Sequence, residues 1–365
     1  MTAMRLRKLS LINFKNLLQT EIALSDGINC FVGDNGAGKT NVLDAIYYLS
    51  MSKSALTMTD GQSVMHGEDF FVLDGSYVAE DERVESVNCS FTKRAGKVLK
   101  RNGKEYERMS DHVGNFPVVM VSPQDTELIT DAAEERRRYL NAFISQLDRQ
   151  YMVSLMRYNA VLAERNKFLK CSSDEQMLQI YDMQLSEHGT RVYERRCEII
   201  EQMKPLVEEY YRVLSGDREQ IEIRFRSELE ELPMKDILIR SRERDIVNQF
   251  TTSGIHRDDI IFRISGYPLR KYGSQGQQKS FLSALKLAQY RLIAEATGEK
   301  PILLLDDLFD KLDIGRVAKL LEVVSSNDFG QICITDCNKM RLEELLGRAD
   351  KEYRLFNVTG GEVQL

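Results

Sequence analysis

Eight residues, Gly33-Asp34-Asn35-Gly36-Ala37-Gly38-Lys39-Thr40, fill every fixed position of G-x-x-x-x-G-K-[ST] and constrain this chain more tightly than any other stretch of it. Glycines in such a loop let the backbone turn sharply and aim its N–H groups at a phosphate, a lysine reaches the β and γ phosphates, and the following hydroxyl ligates Mg²⁺. The motif carries weight only between a strand and a helix. Ile28-Asn29-Cys30-Phe31-Val32 reads as a buried strand, and Val42, Leu43, Ile46 and Leu49 fall on one helical face. The spacing therefore predicts strand, loop, helix, with the helix N-terminus pointing at the phosphates. Gly33, Asp34, Asn35, Gly36, Ala37, Gly38, Lys39, Thr40 and Asn41 form the expected cradle for ATP and Mg²⁺.

A second motif completes the chemistry. Pro301-Ile302-Leu303-Leu304-Leu305-Asp306-Asp307 is an apolar strand ending in two carboxylates, the form of a Walker B motif. Asp306 is expected to hold Mg²⁺ through water and Asp307 to orient the attacking water, because phosphoryl transfer needs positioning and charge neutralisation more than covalent help. Tyr272-Gly273-Ser274-Gln275-Gly276-Gln277-Gln278-Lys279 precedes a helix with Phe281, Leu285, Ala288 and Leu292 on one face, and it looks like an ABC-type signature. In that class the signature binds the γ-phosphate held by the opposite subunit, so Ser274, Gln275, Gly276 and Gln277 are assigned to nucleotide binding across a dimer. Leu308-Phe309-Asp310-Lys311-Leu312-Asp313 fits the D-loop, and Gln331-Ile332-Cys333-Ile334-Thr335-Asp336 fits the strand leading to the switch position. Ser122-Pro123-Gln124-Asp125 ends an apolar strand as a Q-loop would, with Gln124 sensing both Mg²⁺ and the γ-phosphate.

No run approaches a membrane span, and the first residues lead into an alternating strand pattern rather than an apolar leader, so a cytoplasmic protein is expected. Cysteines at 30, 89, 171, 197, 333 and 337 form no C-x-x-C pair and are expected to be reduced thiols, without zinc. Strand-like stretches open the chain, at Arg5 to Leu11 and Glu21 to Leu24, and recur from about Glu68 to Val121 as a β-rich subdomain. From Thr130 to about Leu214 the sequence is long, charged and glycine-poor, with Leu140, Ile144, Leu147, Tyr151, Leu155, Tyr158 and Leu162 at helical spacing. Cys171-Ser172-Ser173-Asp174 breaks it, which predicts two antiparallel helices, the second kinked at Pro205. A formal charge of −6 excludes a uniformly basic coat, so any contact with nucleic acid needs a local patch. Lys93, Arg94, Lys97, Lys100, Arg101 and Lys104 lie in an acid-free hairpin that is either a DNA-facing surface or a solvated sheet edge. Arg136-Arg137-Arg138 is a weaker candidate, because Glu134 and Glu135 sit beside it.

The ordered set of Asn13-Phe14-Lys15-Asn16, the phosphate loop, Ser122-Pro123-Gln124-Asp125, Arg136-Arg137-Arg138-Tyr139-Leu140, His256-Arg257-Asp258-Asp259, the signature and Leu303-Leu304-Leu305-Asp306-Asp307 resembles the bacterial RecF family across essentially the whole chain. That resemblance implies an α/β ABC/SMC-type ATPase head, with a mixed sheet around the phosphate loop, a β-rich subdomain and an inserted α-helical arm. It implies slow ATP hydrolysis, an ATP-dependent homodimer on double-stranded and gapped DNA, RecR and RecO as partners, and RecA as the protein loaded. The corresponding division is 1–128 and 218–365 for the head and 129–217 for the arm. Three positions depart from the family pattern: Asn141 stands where aspartate is usual, Asp310-Lys311 where Ser-Glu is usual, and Asp336 in place of the ABC switch histidine. His256-Arg257-Asp258-Asp259 is either a buried ion-pair turn or part of the site. Long-armed SMC proteins need hundreds of heptad residues that this chain lacks, and transporter ATPases lack the helical arm. A nucleotide-gated scaffold that assembles with proteins and touches no DNA is the alternative.

Overall fold

The structure, a computed structural model, describes residues 2–216, 219–307, 314–347 and 351–365. It has two compact units, one made of Met1–Asp125, Val213–Gly216 and Gln275–Leu365, the other of Thr126–Arg212 and Asp217–Ser274. The expected boundary at 217/218 thus gives way to one at 274/275. Residues 219–274 join the helices because their strand Asp259–Ile264 lies against the helix Ala133–Leu147.

In the first unit a six-stranded sheet runs in the order Glu362–Gln364, Tyr353–Thr359, Ile28–Val32, Ile332–Asp336, Ile302–Leu305, Val118–Val121. Every pairing is parallel except that of the C-terminal hairpin. All residues of Ile28–Val32, Ile302–Leu305 and Ile332–Asp336 are buried, as strands covered on both faces must be. Val118–Val121, expected in the β-rich subdomain, belongs here, beside Ile302–Leu305. Its run of four apolar residues has no polar face to offer an antiparallel sheet with one solvated side. That second sheet, also six-stranded, holds Arg5–Phe14, Leu17–Ala23, Phe70–Val78, Val84–Thr92, Gly96–Arg101 and Lys104–Glu105.

The helix Lys39–Met51 touches strands of both sheets. Burial consequently extends round it, to Ala45, Tyr48 and Met51, beyond the single face that the apolar spacing predicts. Tyr48 meets Phe14 and Phe71 edge-on, with centroids 6.0 and 5.3 Å away, a preferred aromatic geometry. At the helix end the fully buried His112 reads its own tautomer from its partners: Nε2 lies 2.6 Å from the Leu49 carbonyl, which only accepts, so Nδ1 is left to accept from Tyr106 Oη at 3.2 Å.

The second unit has helices Ala133–Leu147, Arg149–Leu169, Met234–Asn248 and most of Glu175–Ser215, with a three-stranded sheet of Ile221–Arg226, Asp259–Ile264 and Tyr267–Pro268. Where one first helix was expected there are two. Asp148 ends one and caps the next, accepting from Tyr151 N at 2.9 Å, a capping role that its short carboxylate suits. The long helix continues through Pro205. Buried ion pairs tie this unit together. Arg165 reaches Asp182 at 3.0 Å and Asp245 at 2.8 Å, and Arg196 reaches Asp258 at 2.6 Å. His256 Nδ1 stands 2.8 Å from Tyr158 Oη and Asp259 pairs with Arg136 at 2.7 Å, so within His256-Arg257-Asp258-Asp259 the two aspartates are buried in ion pairs at the start of a strand, while Arg257 is exposed. Among the described residues, no helix is long and apolar enough to cross a membrane.

Burial holds His112 at about 4, below the usual 6.5 of imidazole. Its folded-state value is depressed, so its contribution is complete above pH 6.5 and is lost as pH falls from there towards 4. Urea unfolding at pH 7.5 and pH 5 is expected to show wild type losing about 2 kcal/mol more than His112→Gln over that interval. Equal losses would show that the unfolded state takes up no extra proton at this site.

Candidate nucleotide site

The phosphate loop is shaped from three directions. Gly33 ends its strand against the C-terminal hairpin, where a Cβ would lie 2.1 Å from the Val358 carbonyl oxygen, so only glycine fits. Gly38, at φ 116°, stands before the helix and offers no side-chain cap. The first N–H groups of the helix have no intrahelical acceptor and are therefore suited to an anion. Lys39 is almost completely buried and donates from Nζ to the carbonyls of Gly33, at 2.8 Å, and Asp34, at 2.9 Å. The third support comes from Asn13-Phe14-Lys15-Asn16. Asn16 donates to Gly36 O at 3.3 Å and accepts from Asn41 Nδ2 at 2.7 Å, while Lys15 pairs with buried Asp44 at 2.6 Å. Gly361 donates to Ala37 O at 3.0 Å from the C-terminal hairpin.

The register of the parallel sheet brings the second motif to the same edge. Leu305 lies opposite both Val121 and Ile334, and Asp336 lies opposite Val32, so the strand ends carrying Asp306, Asp336 and the loop coincide. Thr40 Oγ1 donates to Asp306 Oδ1 at 2.8 Å, and Thr335 Oγ1 donates to the same oxygen at 2.7 Å. Burial pushes the Asp306 carboxyl above the usual carboxylate range, and the two hydroxyl bonds oppose that rise. Asp307 sits at φ 48°, in the left-handed region that costs a non-glycine residue energy. Its N–H donates to Thr335 Oγ1 at 2.9 Å, which holds the turn. Thr335 therefore fastens both carboxylate positions, a role with no signature in the sequence. Asp336 is buried, its carboxyl likewise raised by burial, and it accepts from Asn338 N at 2.5 Å within its own turn.

Gln124 is exposed in the 3₁₀ turn Pro123–Thr126 that follows the strand neighbouring Asp306. Beside it lies a contact the motifs do not announce. Lys286, buried on the helix Gln275–Thr297, donates to Met120 O at 2.8 Å and pairs with Asp125 at 2.7 Å, and Asp125 also accepts from Ser122 N at 2.7 Å. The helix that begins at the signature is thereby pinned to the Gln124 turn. Ser274 and Gln275 are exposed, and a Cβ on Gly276 would come 2.7 Å from Arg316 Nη1. The D-loop assignment, Leu308 to Asp313, lies outside the described residues.

The basic candidates divide. Lys97 points inward beside Leu99, and its ammonium meets Asp60 at 2.9 Å and Ser52 O at 2.7 Å; Arg101 pairs with Glu85. These two belong to the subdomain's own ion pairs and leave the set of exposed cations. Lys93 is exposed but held by Asp69 at 3.3 Å. Arg94 and Lys104 are exposed and Lys100 is half-buried. Arg136 is tied to Asp259 and Arg137 to the Asp258 carbonyl, so of that run only Arg138, paired with Glu134 and Glu135, faces outward. Asn141, at the departing position, accepts from Tyr151 Oη at 2.7 Å and Arg196 Nη2 at 2.9 Å.

The RecF/RecN/SMC N terminal domain family matches residues 5–364. The chain is 45% identical over 362 residues to the DNA replication and repair protein RecF of Parabacteroides distasonis, covering 99% of each. With RecF of Flavobacterium johnsoniae it shares 43% over 360 residues, 97% of this chain and all of the relative. Among solved structures it is similar to the recombination mediator protein RecF-ATPrS in the RecFOR pathway, with TM-score 0.87 and 30% identity over 99% of this chain and 98% of that one. An Smc head bound to the C-winged helix domain of ScpA shares the fold alone, with TM-score 0.56 and 16% identity over 98% of this chain and 96% of that one. A mixed sheet around a phosphate loop, an antiparallel subdomain and a helical insertion are thus the ATPase-head fold that the motifs implied, and the chain belongs to the RecF family.

Proposed function

We propose that this chain binds ATP with Mg²⁺, pairs with a second copy in response, and in that state holds double-stranded or gapped DNA during replication and recombinational repair, in the cytoplasm. The observation that carries the reading is the 2.8 Å bond between Thr40 and Asp306, which joins two motifs more than 260 positions apart into one hydroxyl-carboxylate pair. That pair fits Mg²⁺. The described residues hold no cluster of three His, Cys, Asp or Glu, and Mg²⁺ is commonly held by one or two protein oxygens plus phosphates and water rather than by an all-protein cage. When bound, the metal neutralises charge on the β and γ phosphates. Residues Gly33 to Asn41 then cradle the phosphates, Lys39 moves from its loop carbonyls to them, Asp307 orients water, and Gln124 monitors the metal from the neighbouring turn. The exposed Ser274 and Gln275, with Gly276 and Gln277, receive the partner's γ-phosphate. Solved relatives named as RecF of a RecFOR pathway support RecO and RecR as partners, and RecA as the loaded protein is carried by the family resemblance of the motifs alone. Turnover is slow and serves as a switch.

Lys39→Met is expected to weaken ATP binding by at least about tenfold, the loss of a charge-assisted hydrogen bond, measured by calorimetry. Asp307→Asn should keep ATP affinity and slow hydrolysis by about 10²-fold. Undiminished affinity in the first or undiminished turnover in the second would remove the corresponding role.

Ser274→Arg places a long cation at the close backbone approach, so it should abolish the dimer seen by sedimentation with ATP and Mg²⁺ while leaving monomer ATP binding intact. A normal dimer would rule the sandwich out.

For DNA, the exposed Arg94 and Lys104 with the half-buried Lys100 give a sharper test than the whole basic segment. Reversing Arg94, Lys100 and Lys104 to Glu should flatten the fall of log binding constant against log salt by roughly 0.9 per lost phosphate contact on duplex DNA. If ATP raises DNA affinity, DNA must favour the ATP-bound dimer by the same factor. Unchanged slopes would remove these three residues from the DNA surface, and undetectable duplex binding by wild type would favour the protein scaffold.

A further inference from the structure

The helices Arg149–Leu169 and Glu175–Ser215 run antiparallel, as the pairs Tyr151–Arg196, Arg165–Asp182 and Phe168–Tyr181 show. Between them opens a groove of about 610 Å³ lined by Arg149, Gln150, Val153, Ser154, Arg157 and Arg191. The pairing places Arg191 level with Arg157, so two exposed guanidiniums converge across the hairpin, with Arg149 two turns away along the first helix. No acidic side chain is among the described residues that line it. The sequence from Arg149 to Ala163 contains no acid either. Arg191 has one surface contact, to Glu187 at 3.3 Å, with both side chains more than half exposed. Like charges gathered in a concavity repel one another unless an anion enters it. In a chain of net charge −6 such a gathering is not a consequence of composition.

We propose that this groove is a docking site for an acidic segment of a protein partner, one that presents successive carboxylates along one face of a strand or helix. Guanidinium groups pair with carboxylates through two parallel N–H bonds, and Gln150 and Ser154 add neutral hydrogen-bonding groups to the lining. The rim argues against an extended polyanion. Asp148 adjoins Arg149, and Glu187 and Glu194 lie one turn either side of Arg191. Duplex DNA, with a charge about every 1.7 Å along its axis, would meet those carboxylates as well as the arginines. A short peptide can sit on Arg157 and Arg191 without running along the whole rim.

The test uses the full chain and fluorescein-labelled hexaglutamate as the probe, followed by anisotropy. The double variant Arg157→Glu, Arg191→Glu should weaken binding at least tenfold. Lys167→Glu, Lys170→Glu, which changes net charge equally with two exposed residues at the far end of the same hairpin, should leave it within about twofold. A thirty-base-pair duplex should bind both variants alike. Where the double reversal fails to fold, Arg157→Gln, Arg191→Gln supplies the same comparison. Absence of hexaglutamate binding by wild type, equal losses in the groove and control variants, or a loss confined to the duplex would each overturn the proposal.

Discussion

A single carboxylate oxygen, Asp306 Oδ1, receives hydrogen bonds from Thr40 and Thr335 and so joins the phosphate loop, the acidic strand and the switch strand. A buried carboxylate is costly unless its lone pairs are satisfied. Here the two hydroxyls that satisfy it come from the two elements that must be aligned for phosphate chemistry. Parallel register supplies the alignment: the strands carrying these residues are hydrogen-bonded neighbours and end together. Ligand sites in open α/β sheets form outside the carboxyl ends of strands, and this sheet places its acidic and glycine-rich turns there. Asp307, held in a left-handed conformation by the same Thr335, is a local cost kept in place by that network.

The loop itself depends on surfaces far away in sequence. Gly33 sits against the Val358 carbonyl, and Gly361 would bring a Cβ to 2.3 Å from Asn16 O, so the C-terminal hairpin and the N-terminal turn close on the loop from opposite ends of the chain. The helix that follows is wedged between two sheets, with Tyr48 in an aromatic cluster and Asp44 neutralised by Lys15. Its N-terminus is consequently positioned by packing and ion pairing before any ligand arrives, which is what a preorganised anion site requires.

Elements with a short-range signature were legible in the sequence. The phosphate loop, the Asp306-Asp307 strand and the Asp174 helix start all carry a local pattern, and each stands where that pattern puts it. Contacts between distant segments were not legible. Thr335 and Lys286 look like an ordinary strand threonine and a surface-type lysine, and only the fold shows the first bridging two carboxylate turns and the second buried against Asp125. The apolar run Val118–Val121 was read with its sequence neighbours, although a strand buried on both faces has no alternation to reveal its sheet. The extent of the helical unit was misread for a related reason: Ile221–Arg226 alternates like any half-buried strand, and its partner Asp259–Ile264 follows more than thirty positions later.

Charge shows the same limit most sharply. Basic runs in the sequence suggest surfaces, yet Lys97, Arg101, Arg136, Arg165 and Arg196 lie against Asp60, Glu85, Asp259, Asp182 and Asp258 inside their own units. Removing one partner of such a pair leaves an uncompensated charge, commonly at about 3–5 kcal/mol when the pair is buried, so these arginines are bound to the fold before they are available to any ligand. Recognition is left to cations that the fold leaves outward, among them Arg94 and Lys104 on one unit and Arg157 and Arg191 on the other. A density of positive residues along the chain therefore misplaces the attractive surface. The surface is set by which cations the fold leaves outward rather than burying against its own carboxylates.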